Sequence, residues 1–260
     1  MRLAVVGASG RMGRAVVALA TASGMEIVCA IGTTDVGRDA GELAGIGPIG
    51  TCVVDGLEAV EHARADVVID FSAPSATLAL AAIAPAAGTA IVSGTTGLGE
   101  DARSALDRAS KRVAVLWEPN MSAGVHVLQR LVAQAVAALP DWDVEIVDTH
   151  HRAKLDAPSG TALRLFEAVQ GVRPAARMVH GRQGKPGPRG SDEIGMHALR
   201  GGDVIGDHVV HLVGGSERIE LAHRATSRNV FAHGALRAAR WIAGRPPGPY
   251  ALDDVLRVRT

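Results

Sequence analysis

Leu3-Ala4-Val5-Val6-Gly7-Ala8-Ser9-Gly10-Arg11-Met12-Gly13 is the stretch of this 260-residue sequence that decides the fold. An apolar run of strand length enters a loop of three evenly spaced glycines, and the helical run Arg14–Ala20 follows. In a dinucleotide-binding loop, Gly7 permits a tight turn, Gly10 lets the backbone approach a pyrophosphate, and Gly13 lets helix and strand pack closely. The stretch therefore predicts a nucleotide site, with a glycine turn that binds nothing as the alternative.

Short apolar runs alternate with Ala- and Leu-rich helical runs over the first 120 residues. The strand candidates are Leu3–Val6, Glu26–Ile31, Val67–Asp70, Ala90–Ser93 and Val113–Leu116. Because these runs are apolar at nearly every position, both faces of the sheet must be covered by helices. We expect an α/β fold whose first domain is a Rossmann-like doubly wound parallel sheet.

A different pattern follows residue 124 and predicts a second, α+β domain with a mixed sheet. Its candidate elements are a helix at His126–Leu139 and strands at Val144–Thr149, Ile194–Arg200, Asp203–Val213 and Glu217–Ala225. Gly201-Gly202 and Gly214-Gly215 have hairpin spacing. The helical run Phe231–Ala243 is expected to return to the first domain, which gives a dinucleotide-binding domain at 1–121 plus 231–260 and a substrate-binding and oligomerisation domain at 122–230.

The Gly- and Pro-rich stretch His180–Gly190 cannot form a helix or a strand. Its length predicts a mobile loop or a lid, and a disordered surface loop is an equal alternative.

Charge and cysteine content exclude several classes of protein. The 27 Lys and Arg balance the 27 Asp and Glu, which argues against a nucleic-acid partner held by bulk charge. Cys29 and Cys52 are the two cysteines, too few for a disulfide framework, and they favour a reducing cytoplasm. No run is long enough to cross a membrane, so no membrane partner is expected.

Asp148–Thr161 concentrates proton donors and cations beside a helix start. Histidine side chains can supply a proton, and His150 and His151 stand side by side. Lys154 adds a cationic side chain, and Ser159-Gly160-Thr161 begins a helical run whose first amides attract anions. A structural histidine pair is the alternative. No metal is expected, because the ten histidines show no HExxH-like spacing and the neighbouring cations would repel a metal ion.

Loops that follow the predicted strands supply further cofactor candidates at the edge where open α/β sheets bind ligands. They are Phe71-Ser72, Gly94-Thr95-Thr96 and Glu118-Pro119-Asn120-Met121. After the second strand, Gly32 and Thr33 stand where an acidic residue usually accepts the ribose hydroxyls. The choice between NADH and NADPH is therefore open, and Arg11 could reach a 2′-phosphate or face only water.

The glycine loop, Gly-Thr-Thr-Gly, Pro-Asn-Met-Ser and His-His-Arg-x-Lys-x-Asp-x-Pro-Ser-Gly-Thr together resemble the dihydrodipicolinate reductase family over nearly the whole chain. The resemblance extends to residues 200–208, to Ser227-Arg228 and to Phe231-Ala232-His233-Gly234-Ala235. It implies NADH- or NADPH-dependent reduction of dehydrated 4-hydroxy-tetrahydrodipicolinate to tetrahydrodipicolinate in lysine and diaminopimelate biosynthesis.

Residue by residue, the resemblance implies that His150 donates the proton and that Lys154 holds one carboxylate and supports the developing charge. Ser159, Gly160 and Thr161 would bind a carboxylate, and His151 and Arg228 would be further substrate contacts. It also implies a homotetramer joined through the second domain's sheet. Closure about residues 121–125 and 228–231 is expected to exclude water.

Two other functions stay open at this point. Another NAD(P)-dependent amino-acid dehydrogenase would use Lys154 rather than a histidine as its acid or base. A catalytically idle nucleotide sensor would bind the cofactor without turnover. Neither explains why histidines, a lysine and Ser-Gly-Thr stand together.

Overall fold

The structure is a computed structural model that describes residues 1–256. Its strands are β1 (Arg2–Val6), β2 (Glu26–Ile31), β3 (Val53–Val54), β4 (Val67–Asp70), β5 (Ala90–Ser93), β6 (Ala114–Trp117), β7 (Asp143–His150), β8 (Arg177–His180), β9 (Glu193–Arg200), β10 (Asp207–Val213), β11 (Arg218–Arg224) and β12 (Gly248–Tyr250). Its helices are α1 (Arg11–Ala22), α2 (Ala40–Leu43), α3 (Ala59–Ala63), α4 (Pro74–Ala87), α5 (Glu100–Ser110), α6 (Ala123–Ala138), α7 (Gly160–Val172), α8 (Asn229–Ile242) and α9 (Leu252–Leu256). Among residues 1–256, no helix is both long and apolar enough to span a bilayer.

The chain divides into two compact units. The first unit comprises Met1–Ala123 and the chain from Arg228 onward, and the second unit comprises Gly124–Ser227. Their roles in binding cofactor and substrate stay predictions.

The first unit contains a seven-stranded parallel sheet in the order β12-β6-β5-β4-β1-β2-β3. The strand order reverses between β1 and β4, the switch point at which doubly wound sheets bind ligands. The fold class predicted from the alternating runs is thus confirmed. The short β3 and the returning β12 were not predicted.

Alternate residues of these strands enter two separate cores, because successive side chains of a strand point to opposite faces. On β1, Leu3 and Val5 pack in one core with α1 and α8, whereas Ala4 and Val6 pack in the other with α3, α4 and α5. Helix α8 therefore belongs to the first unit, and residues 232–242 supply buried side chains to its core.

The second unit contains a five-stranded mixed sheet in the order β11-β10-β7-β9-β8. The central strand β7 runs parallel to β9 and antiparallel to β10. Its side chains alternate between half-buried and buried along the strand. Ile146 on the buried face packs with Val132 of α6 and Leu165 of α7. The mixed sheet predicted for this half is confirmed.

One of the two predicted hairpins is wrong. Gly214-Gly215 joins β10 and β11 as an antiparallel pair. Gly201-Gly202 does not make a hairpin, because β9 and β10 lie on opposite sides of β7. Instead, the Gly201 amide donates to the carbonyl of His150 at 2.9 Å, and the Gly202 carbonyl accepts from Arg152 at 3.2 Å. The backbone groups of Gly201 and Gly202 thus bond to the end of β7 and to the residues just after it, and they do not close a hairpin.

The stretch His180–Gly190 was predicted to form no strand, which is wrong for His180, because it ends β8 and pairs with Met196; the rest of the stretch forms most of the connection between two parallel neighbours, β8 and β9. Such strands need a crossover of about a dozen residues, which explains the length of this segment. Two arginines in the segment contact Glu145 of β7, Arg182 at 3.2 Å and Arg189 at 3.1 Å. A lid role for this segment stays a prediction.

Candidate functional site

The glycine loop of the first unit is shaped by close backbone packing. Gly7 has a positive φ of 81°, and a Cβ there would collide with the carbonyl oxygen of Phe71. A Cβ on Gly13 would collide with the carbonyl oxygen of Gly7. Gly10 is the N-cap of α1 and makes no side-chain capping bond. The first amides of α1 therefore have no capping side chain to compete with an anion.

Two cavities lie at the carboxyl ends of the parallel strands. The first, of about 580 Å³, is lined by Val6, Gly7, Ser9, Gly10, Ile31, Gly32, Thr33, Thr34, Asp55, Gly56, Leu57, Phe71, Ser72, Ala73, Ser75 and Ala76. The second, of about 470 Å³, is lined by Arg11, Met12, Phe71, Ser72, Gly94, Thr95, Thr96, Pro119, Met121 and Phe231. Phe71 and Ser72 line both cavities, which makes them neighbouring parts of one groove.

Most of the predicted cofactor residues line these cavities. Ala8, Gly13, Glu118 and Asn120 do not. Among the lining residues that were not predicted to bind the cofactor are Asp55, Gly56, Leu57, Ser75, Ala76 and Phe231. The first three follow β3, whose two residues are too short for a periodic signal, although a turn at Asp55-Gly56 after a Val-Val pair was available in the sequence.

The end of β2 lacks a carboxylate at the expected position. Gly32 is buried, and a Cβ there would collide with the hydroxyl of Ser9. Asp35, the next acidic residue along the chain, pairs with Arg14 at 2.9 Å and with Arg38 at 3.0 Å. Its charge is thus already matched by two guanidinium groups.

In the second unit, a buried carboxylate holds His150. Asp148 and His150 lie two residues apart on β7, so both point to its buried face. Asp148 Oδ1 lies 2.5 Å from His150 Nδ1, and Asp148 is 0% exposed. Nε2 is therefore the nitrogen left to exchange a proton with a ligand. A Cβ on Gly206 would lie 2.9 Å from Nε2, so the glycine leaves space beside that atom.

The same carboxylate also contacts the start of α7. Its Oδ2 accepts from the Ser159 amide at 2.6 Å and from Arg200 at 3.3 Å. The Ser159 hydroxyl caps α7 by accepting from the Ala162 amide at 3.2 Å, and it lies 3.2 Å from Nε2 of His208. Asp148 thus connects the predicted proton donor to the predicted anion site.

Asp148, His150 and His208 each offer a ligand atom within 4.8 Å of the others, a group that could hold a metal ion. We interpret it instead as a relay in which Asp148 pairs with His150 through one oxygen and contacts the start of α7 through the other. His150 lies at hydrogen-bond distance from Asp148, and Ser159 and Arg200 already supply donors to the second oxygen of Asp148. A cation would have to displace these contacts beside a guanidinium group.

Burial makes both relay histidines less basic. It lowers the pKa of His208 to about 4, so this ring is neutral at pH 7. Burial also lowers the pKa of His150; Asp148 opposes that shift, whereas Lys154 and Arg200 add to it. Among these residues, Asp148 is therefore the group that favours the protonated form of His150.

The remaining predicted substrate residues lie in two places. His151 follows β7, Lys154 Nζ lies 2.8 Å from Asp156 Oδ1, and Gly160 begins α7 with nothing within 4 Å of an added Cβ. Thr161 follows in the same turn. Arg228 belongs to the first unit, where it precedes α8. The structure thus groups five of the predicted catalytic and substrate residues around the start of α7 and the end of β7, namely His150, His151, Ser159, Gly160 and Thr161.

Similarity to known proteins agrees with these motifs. Residues 1–121 match the family model described as "Dihydrodipicolinate reductase, N-terminus", and residues 124–256 match the one described as "Dihydrodipicolinate reductase, C-terminus". The chain belongs to the dihydrodipicolinate reductase family. The resemblance predicted from the motifs is thereby confirmed.

Individual relatives cover almost the full chain. A 4-hydroxy-tetrahydrodipicolinate reductase of Alkalilimnicola ehrlichii is 48% identical over an alignment of 265 positions that covers 98% of this chain and 98% of the relative. One from Anaeromyxobacter dehalogenans is 47% identical over an alignment of 266 positions that covers 99% of this chain and 98% of the relative. A solved structure described as dipicolinate-bound dihydrodipicolinate reductase from Paenisporosarcina sp. TG-14 has the same fold, with a TM-score of 0.79 at 23% identity over 96% of this chain and 97% of that one.

Four residues of the second unit's site were missed by sequence analysis as functional residues. They are Asp148, Arg200, Gly206 and His208, and the last three lie in residues 200–208, to which the family resemblance extends. Asp148 stands two residues before the histidine on the same strand, and this spacing was a usable signal. Contacts of Arg200 and His208 with Asp148 depend on strand pairing across more than 50 residues of sequence.

Proposed function

We propose that this chain catalyses the reduction of dehydrated 4-hydroxy-tetrahydrodipicolinate to tetrahydrodipicolinate by NADH or NADPH, in lysine and diaminopimelate biosynthesis. The observation that carries the proposal is the Asp148–His150 pair, 2.5 Å apart and buried, beside the capped start of α7. It occurs in a chain that is 48% identical to a reductase of that name.

The residues of the glycine loop and of the two cavities would hold the cofactor. The fit rests on Gly7 and Gly13, where any side chain would collide with backbone, and on the uncapped first turn of α1. An anionic pyrophosphate is stabilised by such free helix amides and by the helix dipole. When bound, the reduced nicotinamide supplies the hydride.

The dicarboxylate substrate needs two anion sites. Lys154 offers an ammonium group for one carboxylate. Gly160 and Thr161 offer amides of the first turn of α7 for the other, next to the hydroxyl of Ser159, and the open space around Gly160 leaves room for a ligand to approach them. His151 and Arg228 are the further contacts that we assign by family membership.

His150 would deliver the proton. Reduction of a conjugated C=C–C=N system leaves negative charge that must be protonated. Asp148 orients the ring through Nδ1, so the proton leaves from Nε2, and the carboxylate stabilises the protonated ring. The lowered pKa of His150 makes the protonated ring a stronger acid.

A coupled assay tests the proposal. Freshly generated 4-hydroxy-tetrahydrodipicolinate is added to the protein with NADH or NADPH, and cofactor oxidation is followed by absorbance at neutral pH. We expect oxidation with at least one cofactor and a loss of about 10²-fold or more in kcat for His150→Gln. Absence of oxidation with both cofactors would refute the function.

We further propose that the protein works in the cytoplasm as a homotetramer. Support for the compartment comes from Cys29 and Cys52, which are free cysteines. Support for the tetramer comes from family membership and from the sheet of the second unit, whose face opposite the helices carries half-buried side chains. Sedimentation velocity of the purified protein tests the assembly, and a monomer at micromolar concentration would contradict it.

A further inference from the structure

Asp70, at the carboxyl end of β4, is a completely buried acid that the proposed reaction does not use. Five donors converge on its side chain. Oδ1 accepts from the amide of Ser72 at 3.1 Å and from the hydroxyl of Ser72; Oδ2 accepts from the hydroxyls of Thr77 at 2.6 Å, Ser93 at 2.8 Å and Thr95 at 3.0 Å. A carboxylate only accepts hydrogen bonds, so all five donors point their protons at it.

The donors come from both loops that follow the central strands β4 and β5. Ser72 and Thr77 belong to the chain after β4, and Ser93 and Thr95 belong to the end of β5 and its loop. The two loops also bond directly, because the Ser72 amide donates to the Thr95 hydroxyl at 3.1 Å. Asp70 therefore holds the loops in one arrangement.

Ser72 and Thr95 both line the second cavity. The number of protons on their hydroxyl groups determines whether these groups can donate or only accept hydrogen bonds there. A hydroxyl has one proton and two acceptor lone pairs. Because both protons are committed to Asp70, the hydroxyls can offer only lone pairs to a ligand. This part of the cavity wall is thus an acceptor surface.

We propose that Asp70 is a positioning residue that makes this wall selective for a ligand group with N–H donors. Resting on the proposed function, the inference identifies that group as the carboxamide NH₂ of the nicotinamide ring. A ring that carries a ketone in place of the carboxamide has no proton to donate to the wall. Asp70 acts through Ser72 and Thr95.

Asp70→Asn tests the polarity directly. If the amide nitrogen takes the place of Oδ1, the Ser72 hydroxyl loses its acceptor and must redirect its proton. If it takes the place of Oδ2, the hydroxyls of Thr77, Ser93 and Thr95 must do so. Either orientation turns a hydroxyl proton toward the cavity. Dissociation constants for NADH and for reduced 3-acetylpyridine adenine dinucleotide, the ketone analogue, are measured by fluorescence titration.

We expect the wild type to bind NADH more tightly than the ketone analogue, and we expect this ratio to fall by about tenfold in Asp70→Asn. Ser72→Ala, which removes one acceptor without changing the carboxylate, should lower the ratio too and decides the question if Asp70→Asn does not fold. Thr77→Val is the matched control, since Thr77 bonds Asp70 but lines neither cavity.

The outcomes separate the two proposals. A lower ratio in Asp70→Asn, or in Ser72→Ala where Asp70→Asn does not fold, together with an unchanged ratio in Thr77→Val, supports the role of Asp70. An unchanged ratio in a folded Asp70→Asn, or in Ser72→Ala where Asp70→Asn does not fold, overturns it while leaving the reductase function intact, and so does an equal fall in Thr77→Val. If the wild type binds neither NADH nor NADPH, the proposed function itself is wrong.

Discussion

Replacement of Asp148 by asparagine should convert His150 from an efficient proton donor to a poor one. The substitution keeps the size of the side chain and removes its charge at a position that is 0% exposed and 2.5 Å from the ring. A hydrogen bond to a charged group is worth about 1.5–3 kcal/mol, so we expect kcat to fall about 10- to 150-fold. Binding of NADH by the first unit should not change.

The pH profile gives the sharper test. His150 must carry a proton to donate it, so the rate falls as the pH rises through the pKa of His150. Burial lowers that pKa, Asp148 raises it, and Lys154 and Arg200 lower it. In Asp148→Asn the raising contribution is lost, and the descending limb of the kcat profile should move to lower pH.

Steady-state kinetics from pH 5 to 9 measure both effects. Asp192→Asn is the matched control, because it removes one carboxylate that is 42% exposed and pairs with Arg177 at the surface. It should leave the position of the limb unchanged. A limb that stays in place in Asp148→Asn, or moves to higher pH, would refute the relay.

Three further predictions concern the same unit. The pKa of His208 is about 4 in the folded protein and near 6.5 in the unfolded chain. The free energy of unfolding should therefore fall between pH 7 and pH 4.5, and the fall should be about 2 kcal/mol larger in the wild type than in His208→Asn. Urea denaturation at the two pH values measures this difference. Ser159→Ala removes the cap of α7, so it should lower the free energy of unfolding by about 1 kcal/mol and raise KM for the dicarboxylate. Ser159→Thr should restore both the stability and the KM. Unchanged values of these two quantities in the alanine variant would contradict the role of the cap. Gly206→Ala places a methyl group 2.9 Å from Nε2 of His150 and should lower kcat about 10²-fold, while Gly215→Ala, with nothing within 4 Å, should have normal kinetics.

Sequence reasoning recovered those features of the first unit that depend on local pattern. Buried parallel strands are short apolar runs, and glycines mark the loop where backbone atoms approach too closely for a side chain, as Gly7 and Gly13 do. The two-residue β3 carries no such pattern. The cavity wall that Asp55-Gly56-Leu57 forms after it was therefore not predicted.

The second unit shows how a wrong strand pairing hides a site. A hairpin at Gly201-Gly202 would have paired β9 with β10. In the structure β10 pairs with β7, which places His208 directly opposite Asp148. His208 and the cation-rich stretch before α7 can both be seen in the sequence. The contact between them depends on the long-range register of the strands, which local patterns do not encode.

The position of α8 in the first unit has a consequence for how the protein is made. The core that β1 shares with α1 also requires Ala235 and Ile242, which leave the ribosome only after the entire second unit has been synthesised. A nascent chain that ends at residue 227 would expose the apolar surface that α8 covers. The second unit has its own core and can complete folding first, so the sheet that emerges first is completed last.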